Sequence, residues 1–308
     1  MQRIPRFVSA RSLWALNRGL DRLETAPSDP DHARLRHPPL FIVGAPRTGS
    51  TLLYQLVVHR FDVGYLSNRH CRLYGAPSLV ERLRPPREAP DLESRYGRTA
   101  GPDAPSECGE YWYRFFRQTP QYVARAEMPE HQRRRLRASI RAFGDAASRP
   151  IVFKNLICAL RLGPLAKALP EAVFVTISRD LLATATSLLA GRKDLFGDYA
   201  HWWSSEPPGI DGFRSRPPHE QVVEQVRRIE EVIERDREAI GDERFFTLTY
   251  EGLCEDPGEA LARIAALAER NGFRLTPVRA VPARLEQARP HAIDPDLHER
   301  LAAYVRDI

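Results

Sequence analysis

The sequence predicts an α/β protein, a single domain in which a central parallel sheet is flanked by helices. Three observations predict it. Short, almost wholly apolar runs bounded by Pro, Gly or polar residues recur along the chain, as buried parallel strands require. Each is followed by a helix-like segment, the βα alternation of a parallel sheet. No internal repeat and no linker-like break in composition divides the 308 residues, a length that α/β domains with one continuous sheet reach.

Taken in order, residues 1–37 form a helical extension, in which Leu13, Leu16, Leu20 and Leu23 repeat at helical spacing and predict an amphipathic helix docked on the body. Pro38 and Pro39 lead into LFIVGA, a short buried strand, and Thr51 to His59 continue as its helix. Between about Gly64 and Gly109 the chain is rich in Pro, Gly and Arg and reads as an irregular excursion, so 65–110 is expected to shape a substrate loop. The aromatic run YWYRFF (111–116) packs beneath it, and an arginine-rich helix covers 129–147. PIVFKNL (150–156) and AVFVTIS (172–178) are strands by β-branched and aromatic content, with LGPLAKAL a helix between them. LLATATSLLAG follows as a helix stopped by Gly191. After the aromatic cluster Tyr199, His201, Trp202 and Trp203, the prolines and glycines of 204–220 forbid regular structure, which predicts a lid or a connector and a second substrate loop. Val222, Val226, Ile229 and Ile233 mark a long amphipathic helix, RFFTLTY (244–250) a further strand, and Pro257 opens another helix.

Composition narrows the function classes. With 43% hydrophobic and 28% charged residues the chain is globular rather than disordered. The formal charge of +6 comes mainly from arginine, and the run RRRLR at 133–137 reads as a solvated helix face. No zinc-finger spacing, RNP motif or stacking pattern accompanies it, so nucleic acid is not an expected partner. Cys71, Cys108, Cys158 and Cys254 are scattered, without a C-x-x-C pair or a neighbouring His cluster, and no metal is expected. No run approaches the roughly 20 apolar residues of a membrane span. Arg11, Asn17 and Arg18 interrupt the apolar content of the N-terminus, so a cytoplasmic protein is expected.

The most informative stretch is FIVGAPRTGSTLL, residues 41–53. A glycine-rich turn opening a helix presents free N–H groups and a partial positive charge, a ready phosphate site. Gly44 and Gly49 let the backbone curl around an anion, Arg47 adds fixed charge, and Ser50 and Thr51 add hydroxyls. A triphosphatase loop would carry lysine after the second glycine; here Ser50 stands there, which favours a single phosphate over a triphosphate.

At these residues the chain resembles the sulfotransferase family, whose 5′-phosphosulfate loop reads F-x-x-G-x-P-[RK]-[ST]-G-[ST]-[ST]-L-[LV]. The resemblance implies a P-loop-nucleoside-kinase-like sulfotransferase architecture over about residues 40–270. It also implies 3′-phosphoadenosine 5′-phosphosulfate (PAPS) as co-substrate, with Arg47, Thr48, Gly49, Ser50 and Thr51 at its 5′ end. FVTISRDLLATATSLL supplies Arg179 and Ser187 at the spacing of the family's 3′-phosphate pair, and an arginine at a strand end can fork onto phosphate oxygens. YEGLCEDP resembles the family's Y-E-x-L-x-x-x-P, which implies Tyr250 near the adenosine, and Lys154 in VFKNL takes the place of the family's strand lysine, which implies that with Arg47 it offsets charge on the leaving phosphate oxygen. Asp180 alone would imitate a Mg²⁺-binding carboxylate.

The pattern breaks at the general base. The glutamate of the Golgi-type and several bacterial relatives falls on Ser67 or Asn68, and the histidine of cytosolic relatives falls on Leu156. Glu107, beside the aromatic run, is the first replacement, His70 the second and Glu110 the third. Two other readings compete: a P-loop nucleotide kinase or NTPase, and a catalytically silent PAPS-binding protein. Arginines between 69 and 98 suit an acidic acceptor such as a glycan or lipid headgroup, whereas aromatics at 111–116 and 199–203 suit a small apolar ring. The sequence does not set the oligomeric state.

Overall fold

The computed structural model of the protein describes residues 10–24, 34–85, 99–288 and 292–308. Parts of the expected N-terminal extension (1–9 and 25–33) and of the first expected loop (86–98) lie outside the described residues. Helix α1 (Ala10–Glu24) precedes β1 (Pro39–Val43) and α2 (Ser50–Arg60). Then come β2 (Gly64–Tyr65), α3 (Pro77–Leu83), α4 (Gly109–Trp112) and α5 (Glu130–Ala147). Strand β3 (Ile151–Lys154), α6 (Leu162–Ala168), β4 (Val173–Ser178) and α7 (Leu181–Phe196) form the centre. The chain continues through α8 (Pro218–Ile240), β5 (Phe245–Thr249), α9 (Tyr250–Glu255), α10 (Pro257–Arg270) and α11 (Pro295–Arg306).

The strands pair in the order β2-β3-β1-β4-β5, and every pairing is parallel. This is the α/β architecture the sequence predicts. The two-residue period of the strands sorts their side chains onto two faces. One carries a row of phenylalanines in register: Phe153, Phe41, Phe174 and Phe245, with successive ring centroids 5.3, 5.6 and 5.0 Å apart. Trp112 stacks edge-on over Phe153 at 5.2 Å, and Tyr111 meets Trp112 at right angles. Such pairs each add about 1 kcal/mol beyond burial. The other face, Leu40, Ile42, Val152, Val173, Val175 and Ile177, packs with the apolar sides of α2, α9 and α10. Tyr111, Trp112 and Phe115 are therefore sheet core, not rings lining an acceptor site.

Several expectations differ from the structure. The 64–109 excursion contains regular structure: Gly64 and Tyr65 pair with Ile151 and Val152 as an edge strand, and a 3-10 turn (His70–Leu73) and α3 follow. Two paired residues are too few to leave a period-2 signal in sequence. Gly191 does not stop its helix, which runs on to Phe196 and closes at Gly197 in the left-handed conformation. Instead, a Cβ at Gly191 would lie 2.3 Å from the Trp203 ring, so the glycine admits an indole against the helix. The 204–220 segment is not irregular throughout: it holds a 3-10 turn (Ile210–Phe213), and α8 already starts at Pro218. Gln225 donates to the carbonyls of Trp203 and Ser205, and Gln221 to those of Arg214 and Arg216, which ties the segment to α8.

Helix α1 also differs from its expected packing. Its anchors are polar, not leucines: Asn17 donates to the Arg72 carbonyl and accepts from Gly75 N–H, and Glu24 accepts from the backbone and hydroxyl of Ser78. Asp21 pairs with Arg114 and with Arg135 from α5. Leu16 and Leu23 are left 49% and 76% exposed. The arginine run on α5 is likewise only partly solvated, since Arg137 is buried and forks onto Glu171.

Candidate functional site

The site forms at the carboxyl edges of β1, β3, β4 and β5, where a parallel sheet directs its loops. After β1 the chain turns through Gly44 to Gly49 and enters α2 at Ser50. Gly49 takes a φ of 86° and Arg47 a φ of 70°, so the turn needs the left-handed region twice. A Cβ on Gly49 would come 2.3 Å from Tyr250 Cδ2, which reserves that position for glycine on two counts. Thr48 is buried and donates its hydroxyl to the Ala45 carbonyl at 2.8 Å, so it shapes the turn from inside. Ser50 is buried at the α2 N-terminus, whose first N–H groups have no intrahelical acceptor.

Arg47 reaches across to the second signature: its Nε donates to Ser187 Oγ at 3.0 Å, a contact spanning 140 residues. Ser187 lies in the second turn of α7, placed there because Asp180 caps that helix by accepting from Ala183 N–H at 2.8 Å. Asp180 is thus a helix cap. Arg179 does not meet Ser187. Its guanidinium stacks over the Tyr250 ring at 4.5 Å and donates to the Ala288 carbonyl at 3.1 Å, while Tyr250 Oη accepts from Ala288 N–H. Burial pushes the Tyr250 phenol up, keeping it neutral.

Lys154 ends β3, buried, and its ammonium donates to Thr51 Oγ1 at 3.2 Å and pairs with Glu107 Oε1. Glu107 is held by three consecutive residues of the β3 end. Besides Lys154, Leu156 N–H donates to its Oε2 at 3.3 Å, and Asn155 Nδ2 donates to its backbone carbonyl at 3.1 Å. The carboxylate remains 27% exposed, open to a ligand. It also stands at Leu156, the position expected for the histidine of cytosolic relatives. Asn155 and the Leu156 amide escape a sequence reading: a backbone N–H leaves no side-chain signal, and only adjacency to Lys154 marks Asn155.

The other base candidates go elsewhere. His70 is fully buried; its Nδ1 accepts from Ser67 N–H at 3.1 Å, its Nε2 lies 3.3 Å from Glu81 Oε2, and Phe143 packs on the ring. Asn68 donates to the carbonyls of Thr99 and Gly101 and fastens a loop. Glu110 is exposed and lines a cavity of about 650 Å³ with Trp14, Tyr74 and Tyr113 between α1 and the body. Among the described residues no cluster of three or more His, Cys, Asp or Glu can hold a metal ion.

A profile described as "Sulfotransferase family" matches residues 38–271. The chain belongs to the sulfotransferase family. Its matched span contains every residue placed at the site except Ala288. Among curated proteins it is similar to omega-hydroxy-beta-dihydromenaquinone-9 sulfotransferase Stf3 of Mycobacterium bovis and of Mycobacterium tuberculosis. Each is 28% identical over 255 residues, covering 74% of this chain and 61% of the relative. The chain thus spans about three fifths of the length of the curated relatives it matches. Among solved structures, sulfotransferase STF9 from Mycobacterium avium aligns with a TM-score of 0.51 at 18% identity, covering 96% of this chain and 76% of the other. Sulfotransferase STF1 from Mycobacterium tuberculosis aligns with a TM-score of 0.52 at 16% identity, covering 95% and 78%. These two likenesses are of fold. Among the described residues no helix is long and apolar enough to cross a membrane.

Proposed function

We propose that the protein transfers a sulfuryl group from PAPS to a hydroxyl of a small-molecule acceptor by in-line displacement. One observation carries this reading. The Lys154 ammonium contacts the Thr51 hydroxyl of the phosphate-type loop and the Glu107 carboxylate at once, so a cation links the donor end to a base. The donor set fits the co-substrate: hydroxyls of Ser50, Thr51 and Ser187, the α2 N-terminus, and the cations Arg47, Lys154 and Arg179 suit two separate phosphate groups. Arg47 and Ser187 already touch, which joins the segments expected at the 5′ and 3′ ends.

When bound, PAPS supplies the electrophilic sulfur. Glu107 accepts the acceptor's hydroxyl proton as the oxygen attacks, and the Leu156 amide and Asn155 hold it in place. Lys154, released from the carboxylate as that proton arrives, is left to offset negative charge on the leaving phosphate oxygen together with Arg47. Tyr250 and Arg179 form a stacked wall suited to the adenosine 3′-phosphate end. His70 is left to packing.

The Stf3 relatives are named for ω-hydroxy-β-dihydromenaquinone-9, which makes that compound the first acceptor to test. Transfer of labelled sulfate from PAPS to it, or to a phenol, steroid, sugar or peptide hydroxyl, tests the reaction. Calorimetric titration with 3′-phosphoadenosine 5′-phosphate tests the site. No binding of this nucleotide overturns the proposal.

A further inference from the structure

We propose that the face built by α1 and α3 is a docking surface for an anionic lipid bilayer. Five of the nine large apolar side chains exposed among the described residues lie on these two helices: Trp14 (54%), Leu16, Leu23 (76%), Leu79 (40%) and Leu83 (72%). Leu16 and Leu23 are two helical turns apart and Leu79 and Leu83 one turn, so each pair shares a face. The Glu24–Ser78 hydrogen bonds bring the helices together, and Leu23 and Leu79 directly flank that contact. Concentrated apolar exposure of this kind marks an interaction site rather than ordinary surface scatter.

Charge selects the partner. Every described acidic side chain of the two helices is turned inward and engaged: Asp21 with Arg114 and Arg135, Glu24 with Ser78, and Glu81 with His70 and Arg149. The exposed charges are all cationic: Arg18 and Arg22 on α1, Arg82 on α3 and Arg84 just beyond it. Arg18 stacks on the Trp14 ring at 4.6 Å on the other side of α1 from Leu16 and Leu23, where both line the cavity that Glu110 shares, so the leucines and not this pair carry the apolar face. Four exposed leucines beside arginines, with no exposed carboxylate among the described residues of α1 and α3 themselves, match the boundary of an anionic membrane, where apolar groups enter the acyl edge and arginines meet lipid phosphates. The surface does not depend on the catalytic proposal above.

Flotation of the full chain with vesicles tests the inference. Phosphatidylcholine vesicles containing about 30 mol% phosphatidylglycerol should capture the protein, and pure phosphatidylcholine vesicles should capture it at least about tenfold less. Raising NaCl from about 0.1 to 0.5 M should release it. The pairs Leu23→Glu/Leu83→Glu and Arg82→Glu/Arg84→Glu should each lower partitioning about tenfold or more. Leu195→Glu, an exposed leucine on α7, should leave it unchanged. All of these positions are exposed, and equal melting temperatures verify that the variants fold. Indifference to lipid charge, absence of capture, or full capture of the leucine pair overturns the proposal. So does a dimer in light scattering that the leucine pair abolishes without vesicle capture, since the occupant is then a second copy.

Discussion

The carboxyl edge of the sheet and the α1–α3 face handle charge in opposite ways. At the sheet edge Lys154 and Glu107 pair with each other, Lys154 and Arg47 reach the hydroxyls of Thr51 and Ser187, and Lys154 is almost wholly buried. On α1 and α3 the charges are separated, carboxylates inward and arginines outward. Opposite charges gathered with open valences make a place for chemistry, because desolvated cations act strongly on a developing anion. Charges sorted by sign across a helix hold the helix on one side and present a uniform field on the other. The difference explains why two glutamates close in sequence diverge: Glu107 meets the β3 end, whereas Glu110 faces the cavity under α1.

The sharpest way to break this comparison is Glu107→Gln, which removes the proposed base while keeping the shape. It should lower kcat about 10²- to 10⁴-fold with nucleotide affinity little changed, read by single-turnover sulfate transfer and titration. A variant with near-normal kcat would remove Glu107 from the chemistry. Next, Arg179→Ala should weaken 3′-phosphoadenosine 5′-phosphate about 10- to 100-fold, roughly 1.4 to 3 kcal/mol, without a comparable loss in kcat at saturation. His70→Ala should behave in the converse way. It strips a buried partner from Glu81 and opens space against Phe143, so urea denaturation should show a loss of about 2 to 3 kcal/mol while kcat stays within about threefold. Gly191→Ala, which forces Trp203 off α7, should cost a smaller amount, about 1 to 3 kcal/mol, with no effect on nucleotide binding.

Much of the fold was legible because it rests on local pattern. Four of the five strands and the phosphate-type loop announce themselves through short apolar runs and glycine spacing, and the resemblance to the sulfotransferase family rested on those same residues. The edge strand β2 was not legible, since two residues paired to Ile151 and Val152 have no periodicity of their own. Leucine spacing in α1 was legible but pointed the wrong way. Asn17, Asp21 and Glu24 hold the helix, and a polar anchor is recognised only by the partner it finds. Among base candidates the sequence offered Glu107, His70 and Glu110 with nothing but neighbours to rank them.

What the sequence determined alone is the order of strand, loop and helix, and with it a phosphate-type loop lacking the triphosphatase lysine. Backbone geometry at Gly49 and amide exposure at a helix start are properties of a few adjacent residues, so they are written locally. Only the tertiary structure decided the rest: Arg47 on Ser187 across 140 residues, Lys154 between Thr51 and Glu107, and His70 sealed in the core. These pairings depend on which strand edges become neighbours. Strand order is fixed by the packing of the whole sheet, and no single segment carries it.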